Sequence, residues 1–128
     1  MYPAAVPGPA AGGHGYSAHF NGDNMGTIPH SQVFETDDIS VSFWIFLLKD
    51  SIGGYRTIIH KGSNSHELTP TLMLWPKERR LHVLTNTDAY WNEGLDSKAL
   101  IGLRRWTHVT AIFSNQLLEL YVNGILDS

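Results

Sequence analysis

The sequence has no cysteine among its 128 residues. This excludes a disulfide framework and any thiolate metal site. Positive charge is also scarce, because 9 Lys and Arg residues face 12 Asp and Glu residues, for a formal net charge of −3. No run of basic residues could neutralise a series of phosphates, so nucleic acid is not expected as a partner.

Long apolar runs are missing as well. The longest, residues 43–48, has six residues, whereas a membrane helix needs about 20, so no membrane span is expected. Residues 1–15 have neither a basic segment nor an apolar stretch of signal-peptide length. Together with the absence of cysteine, this favours an intracellular location and leaves the compartment otherwise unknown.

The patterns that are present predict an all-β domain. Residues 1–15 are rich in Pro, Ala and Gly and are expected to form an extended arm without stable contacts, followed by one folded domain over residues 16–128. Within that domain, apolar residues alternate with period 2, and no long helical stripe occurs. Seven short strands separated by turn residues indicate a two-sheet antiparallel β-sandwich. They are predicted at 16–20, 39–48, 56–61, 71–75, 81–85, 106–114 and 117–122.

Alternation also predicts which side chains face the core. In the second predicted strand, Val41, Phe43, Ile45 and Leu47 share one face and are expected to be buried. Near the end of the chain, Asn123-Gly124 is the strongest signal for a two-residue hairpin. Only four residues follow that turn, so we expect a longer parent protein and an incomplete sandwich.

Ordered motifs along residues 16–126 resemble the laminin G-like, concanavalin A-like lectin and glucanase superfamily. They are AHFNG (18–22), TIP (27–29), ISVSFWI (39–45), RTIIHKG (56–62), RWTHV (105–109) and LELYVNG (118–124). The resemblance implies a jelly-roll sandwich, often used as a binding module, that continues for several strands after the Asn-Gly turn. With the final strands missing, residues 1–128 are not expected to form a stable independent monomer.

Glycoside hydrolases of this superfamily carry paired carboxylates on a Glu-x-Asp-x-Glu strand. No such spacing occurs in the chain. The nearest acidic groups, residues 35–38 and 93–96, fall in segments predicted to be turns. The chain is therefore not expected to be an enzyme.

Two short segments are candidate binding sites. Asn21, Asp23 and Asn24 form an oxygen-rich turn of the kind that Ca²⁺ requires, although an Asx turn between two strands explains the same residues; no other cofactor is expected. Asp88, Tyr90, Trp91 and Asn92 place two aromatic rings among polar groups in a predicted loop. Such a loop could bind a sugar or anchor a protein partner, or Trp91 could fold back over the sheet edge.

Other aromatic and basic residues have structural explanations. His108 is expected to pack and form one hydrogen bond. Trp44, Trp75 and Trp106 are expected to pack in the core or on sheet faces, and the adjacent pair Arg79-Arg80 to lie in a solvated turn. The histidines lack the spacing of a metal site and are expected to be solvated or singly hydrogen-bonded.

The leading functional hypothesis is a non-catalytic recognition or scaffold module. Its partner would be another protein or the remainder of its own parent chain. The alternative is a carbohydrate-binding, lectin-like module that recognises a glycan through Tyr90 and Trp91. A third hypothesis, the N-terminal part of a glycoside hydrolase, requires catalytic residues beyond the sequence at hand.

Overall fold

The computed structural model describes residues 4–7, 16–34, 38–50, 53–62, 70–85, 93–114 and 117–128. It divides the chain into two compact units, residues 1–36 and 37–128. Over the described residues, no helix combines the length and the apolar character needed to cross a membrane.

The first unit contains a short hairpin. Strand β1 (Ala4–Pro7) pairs antiparallel with β2 (Tyr16–His19), with Ala4 opposite His19 and Pro7 opposite Tyr16. One turn of 3-10 helix follows at Gln32–Phe34. The pairing differs from the contact-free arm expected for residues 1–15. Strand pairing satisfies backbone amides and carbonyls, so it needs no large apolar side chains.

The second unit is a two-sheet sandwich, which confirms the predicted all-β architecture. Its described strands are β3 (Ile39–Phe46), β4 (Arg56–His60), β5 (Thr71–Leu74), β6 (Arg80–Thr85), β7 (Glu93–Leu100), β8 (Trp106–Ser114), β9 (Leu117–Val122) and β10 (Ile125–Leu126). The first sheet has the order β10-β9-β8-β3 and the second β4-β5-β6-β7, and neighbouring strands are antiparallel. The chain therefore leaves the first sheet after β3, builds the second, and returns through β8.

The inner faces of both sheets form one apolar core. Along β8, Thr107, Val109, Ala111 and Phe113 are buried while their neighbours are half-exposed, as period-2 alternation requires. Strand β3 alternates in the same way, so the predicted inward set of Val41, Phe43, Ile45 and Leu47 is the less exposed set. The buried cluster draws on both sheets: Leu47, Leu72, Leu74, Leu81, Val83, Ile101, Val109, Ala111, Phe113 and Leu120.

The predicted hairpin at Asn123-Gly124 is confirmed. Asn123 has φ of 53° and Gly124 of 78°, the left-handed values that a type I′ turn requires at both central positions. Val122 and Ile125 are opposite each other across the turn. Asn123 is also tied to β8, because its Oδ1 accepts the His108 amide at 2.9 Å and its amide donates to the His108 carbonyl at 2.8 Å.

Strand β7 is the main departure from the expected elements. Residues 93–96 were expected to be a turn, yet Glu93–Leu100 is an eight-residue strand paired with β6. The segment contains Gly94, Asp96, Ser97 and Lys98, residue types with weak strand preference. Strand formation depends strongly on tertiary neighbours, and β7 gains both a pairing partner and an apolar contact through Leu95.

An irregular step interrupts the pairing of β6 with β7. Arg80 pairs with Leu100, but His82 pairs with Asp96, so β7 carries extra residues at this point. The backbone groups left without ladder partners are bonded by side chains. Leu81 N donates to Ser97 Oγ at 3.0 Å, and that hydroxyl donates to Ala99 O at 2.7 Å.

Arg80, on β6, also bonds the backbone of this bulge. Its Nη1 donates to Ser97 O at 2.6 Å and to Lys98 O at 3.0 Å, and its Nε pairs with Glu78 at 3.0 Å. Arg79 lies 3.5 Å from Asp50. The expected solvated turn is wrong for Arg80, which begins β6 and whose guanidinium bonds carbonyls that the bulge has released from the ladder. Arg79 lies in the bend that precedes β6.

Asp127 joins the two sheets. It follows β10 in the first sheet, and its carboxylate accepts the amides of Lys98 at 2.5 Å and Ala99 at 2.9 Å on β7. Ser128 adds a bond from its hydroxyl to Asp96 O at 3.1 Å. Carboxylates accept amide bonds that are stronger than neutral ones, so this contact holds β7 in place from the opposite sheet.

Candidate functional site

The outer face of the second sheet carries a group of side chains with functional potential. Four residues, Tyr55, Trp75, His82 and Asp96, form the aromatic carboxylate cluster. The pairing of Arg56 with Leu74 places Tyr55 beside Trp75 at the next step. The pairing of β6 with β7 places Asp96 directly opposite His82. One side chain from each strand or strand end of the sheet thus reaches the same surface.

Two hydrogen bonds converge on one carboxylate oxygen. Trp75 Nε1 donates to Asp96 Oδ1 at 3.0 Å, and His82 Nδ1 lies 2.6 Å from the same oxygen. An ionised carboxylate only accepts hydrogen bonds, so His82 must donate from Nδ1. The assignment leaves Nε2 of a neutral His82 as an acceptor. The carboxylate therefore sets both the orientation and the tautomer of the imidazole.

The three rings of the cluster contact one another. Ring centroids are 4.5 Å apart for Trp75 and His82, 5.3 Å for Tyr55 and Trp75, and 6.1 Å for Tyr55 and His82. Tyr55 is 49% exposed, and the Asp96 side chain is 46% exposed. The cluster thus presents aromatic surface and a carboxylate to solvent together.

The bulge in β7 and a glycine two residues before Asp96 set this geometry. A side chain at Gly94 would place its Cβ 2.7 Å from Leu84 Cδ2 and 2.9 Å from Val83 O. Only glycine lets β7 approach β6 this closely. Bulges often redirect a side chain beside a functional site, and here the bulge follows Asp96 directly.

A second aromatic surface lies on the outer face of the first sheet. Trp44, Phe46, Trp106 and His108 form the aromatic patch, in which Trp44 meets His108 edge-on at 5.0 Å and Phe46 meets Trp106 at 5.1 Å. Ser42 Oγ lies 2.9 Å from His108 Nε2, in agreement with the packing role expected for His108. Trp44 is 50% exposed.

None of the three tryptophans expected to pack belongs to the buried core. Trp44 and Trp106 lie on the outer face of the first sheet, and Trp75 belongs to the cluster on the second. Sheet-face packing, one of the two expectations for these residues, is therefore the correct one.

The predicted loop site lies outside the described residues. Asp88, Tyr90, Trp91 and Asn92 belong to residues 86–92, which connect β6 to β7. These two strands carry His82 and Asp96. The role expected for the loop stays a prediction.

The predicted calcium turn has the geometry of an Asx turn. Asn21 Oδ1 accepts the Asp23 amide at 2.9 Å, and Asn24 Oδ1 accepts the Asn21 amide at 3.0 Å. Asn24 Nδ2 also donates to His19 O at 3.2 Å. Two of the oxygens proposed as ligands thus bond the backbone of the turn itself, and calcium binding stays a prediction. Within the described ranges, no group of three His, Asp or Glu residues could hold a metal ion.

Sequence reasoning missed the aromatic carboxylate cluster. Trp75 was expected to pack, and Asp96 was placed in a turn. One usable signal existed: Pro76–Arg79 makes a tight connection, so residues at matched parity before and after it, such as Trp75 and His82, share a face. Nothing local identifies Asp96, because its position depends on the register of β7.

Comparison with known proteins gives one family match. The model of the concanavalin A-like lectin/glucanases superfamily, in its laminin G-like form, matches residues 20–128. The resemblance inferred from the motifs is therefore confirmed. Comparisons with curated proteins and with solved structures gave no match.

Proposed function

The chain belongs to the concanavalin A-like lectin/glucanases superfamily, and we propose that it is a non-catalytic recognition module that binds another protein. Domains of this superfamily are binding modules or are related to glycosidases. The aromatic carboxylate cluster favours a binding module over a glycosidase, because it contains one carboxylate, Asp96, among three rings.

The composition of the cluster supports binding over hydrolysis. Glycosidases place two carboxyl groups about 5–10 Å apart across the scissile bond. Among the described residues, the side-chain hydrogen bonds of Asp96 come from Trp75 and His82, and no second carboxylate belongs to the cluster. Both donors occupy the same oxygen of Asp96. A carboxylate held in this way is suited to contact a ligand in a fixed orientation.

Exposed aromatic residues on both sheets support a protein as the partner. Tyr and Trp are the residues most enriched at the energetic centres of protein interfaces. Tyr55 and Trp44 are each about half exposed. Half-exposed aromatic rings gain a large free energy when a partner covers them.

Carbohydrate binding remains the second candidate, favoured by a specific observation. Trp75 offers a ring beside a carboxylate, and Tyr55 lies against Trp75, a combination that can stack on a sugar ring and bond its hydroxyls. Glycoside hydrolysis would need a second carboxylate from outside the cluster.

A peptide-display selection on the immobilised protein tests the proposal. We expect the selection to enrich peptides that bind the wild type. Their dissociation constants, measured by fluorescence anisotropy, should be at least tenfold higher for Trp75→Ala or for Trp44→Ala. The two variants serve as controls for each other, because each removes one tryptophan from the outer face of a different sheet. Circular dichroism verifies that both variants fold.

A glycan array run in parallel gives the opposing outcome. Saturable binding of a glycan that is lost in Trp75→Ala, with no peptide enriched, would replace the proposal by the lectin function. Release of reducing sugar from a polysaccharide by the wild type, lost in Asp96→Asn, would show an enzyme.

A further inference from the structure

We infer that the aromatic carboxylate cluster binds the alkylammonium group of a lysine side chain on the protein partner. The inference rests on the proposed function, since it names the group that this surface recognises. It follows from three properties of the cluster that are available to a ligand: its hydrogen-bond acceptors, its negative charge and its aromatic surface.

The polar atoms left open in the cluster are mainly acceptors. The hydrogens of Trp75 Nε1 and His82 Nδ1 both go to Asp96 Oδ1. Among the described residues, no hydrogen-bond partner contacts Asp96 Oδ2, His82 Nε2 or the Tyr55 hydroxyl. The first is an acceptor, the second is an acceptor on neutral imidazole, and the third can accept. A ligand rich in donors, such as an ammonium group with three N–H bonds, complements this set.

The charge of the cluster points the same way. Asp96 contributes a negative charge, and its bonded partners, Trp75 and His82, include no lysine or arginine. The nearest guanidinium described on β6, that of Arg80, is bonded to Ser97 O, Lys98 O and Glu78. Among the described residues, His82 is the titratable partner of Asp96, and it carries a positive charge only when protonated. With His82 neutral, the charge of the carboxylate is open to a cation from a partner.

The rings supply the remaining part of the site. A cation lying over the face of Trp or Tyr is attracted by the ring quadrupole, most strongly by Trp. The methylene stem of lysine also packs against aromatic surface while its charged end stays hydrated or paired. Trp75 lies beside the Asp96 carboxylate, with its Nε1 3.0 Å from Oδ1, and the Tyr55 ring lies 5.3 Å from the Trp75 ring. One lysine side chain can therefore pack its stem on the rings and direct its ammonium group to the carboxylate.

Matched amino-acid probes test the inference on the protein. The probes are Nα-acetyl-lysine methylamide and Nα-acetyl-norleucine methylamide, which share the same carbon stem and differ in the ammonium group. Binding is followed through the Trp75 Nε1–H signal in a two-dimensional NMR titration. We expect a saturable shift with the lysine probe and an affinity at least tenfold weaker for the norleucine probe.

Variants identify the group responsible. Asp96→Asn keeps an oxygen that can accept from Trp75 and His82 but removes the charge, and we expect it to weaken lysine binding at least tenfold. Trp44→Ala, on the other sheet, is expected to leave it unchanged. Unaltered chemical shifts of the core methyl groups verify that each variant is folded.

The outcomes separate this inference from the proposed function. Equal binding of both probes, or no loss in Asp96→Asn, overturns the lysine inference. If selected peptides bind through the aromatic patch around Trp44 instead, the recognition function stands and the lysine inference fails. If a simple sugar shifts the Trp75 signal and the lysine probe does not, both fail and the site is a lectin site.

Discussion

Strands β7 and β8 are similar in length but differ in what makes them strands. Strand β8 alternates buried and half-exposed residues through all of Trp106–Ser114, and its own sequence predicts it. Strand β7 combines Gly94, Asp96 and Ser97 with few apolar residues, and it was not predicted. A side-chain pattern specifies β8, whereas contacts from other segments specify β7.

This difference between β7 and β8 bears on where functional residues lie in the domain. A strand held by external contacts can carry a charged residue at a defined position without losing stability from its own core face. Asp96 occupies such a position, next to the bulge and opposite His82. The strands with the strongest pattern contribute to the core, and the strand with the weakest pattern contributes the carboxylate.

The largest loss of stability is expected from substitution of a side chain on the buried face of β8. Phe113→Ala removes a side chain that is 7% exposed within the core and should lower the free energy of unfolding by about 3–5 kcal/mol. Ile112→Ala, one residue earlier and half-exposed on the outer face, should cost about 1 kcal/mol or less. Urea unfolding measures both, and equal losses would contradict the assigned faces of β8.

The second largest effect is expected when the contact between Asp127 and the backbone of β7 is removed. Asp127→Ala leaves the amides of Lys98 and Ala99 without their acceptor and should cost about 1–3 kcal/mol. Glu78→Ala removes a carboxylate from an exposed pair with Arg80 and should cost less than about 1 kcal/mol. Faster amide hydrogen exchange at Lys98 and Ala99 in Asp127→Ala alone would locate the effect on β7; unchanged exchange would refute it.

A glycine pair tests the close approach of β7 to β6. Gly94→Ala would bring a Cβ against Val83 O as well as the Leu84 side chain and should cost about 1–2 kcal/mol. For Gly102→Ala the three atoms nearest to the new Cβ all belong to the side chain of Arg105, which is exposed and can move, so its cost should be smaller. Thermal unfolding compares the two variants. If Gly102→Ala is the less stable, crowding of the Arg105 side chain costs more than the close approach of a Cβ to Val83 O.

The smallest effect is expected from Tyr121 on β9, as a loss of folding stability at alkaline pH. A hydrogen bond from Tyr121 to Glu119, 2.8 Å long, together with the negative charge of Glu119, raises the pKa of Tyr121 above its usual range. A raised pKa means that the protonated phenol stabilises the fold. Its contribution is present below about pH 10, the ordinary value for tyrosine, and is lost as pH rises through the folded-state value.

Tyr121→Phe removes this titration. The wild type should therefore lose more stability than Tyr121→Phe between about pH 9 and about pH 12, a range that brackets tyrosine ionisation. Urea unfolding at a series of pH values measures the difference. Parallel curves for the two proteins would show that this hydrogen bond does not contribute.

Local sequence determined most of the sandwich. The period-2 pattern of β8 and β9 and the Asn123-Gly124 turn predicted strands and a hairpin that the structure contains. These features depend on residues within a few positions of one another, because side-chain alternation and left-handed φ preferences are local properties. The family could be identified for the same reason, since its motifs coincide with these strands.

The formation of β7, and of the aromatic carboxylate cluster that depends on it, follows from tertiary contacts and could not be predicted from the local sequence. Asp96 meets Trp75 across 21 positions of sequence, and Lys98 meets Asp127 across 29. Such contacts follow from the register of a bulged strand pair and from the packing of one sheet on the other. Neither produces a periodic pattern in the sequence of β7, because most of the groups that bond its backbone at the bulge belong to β6 and to the segment after β10.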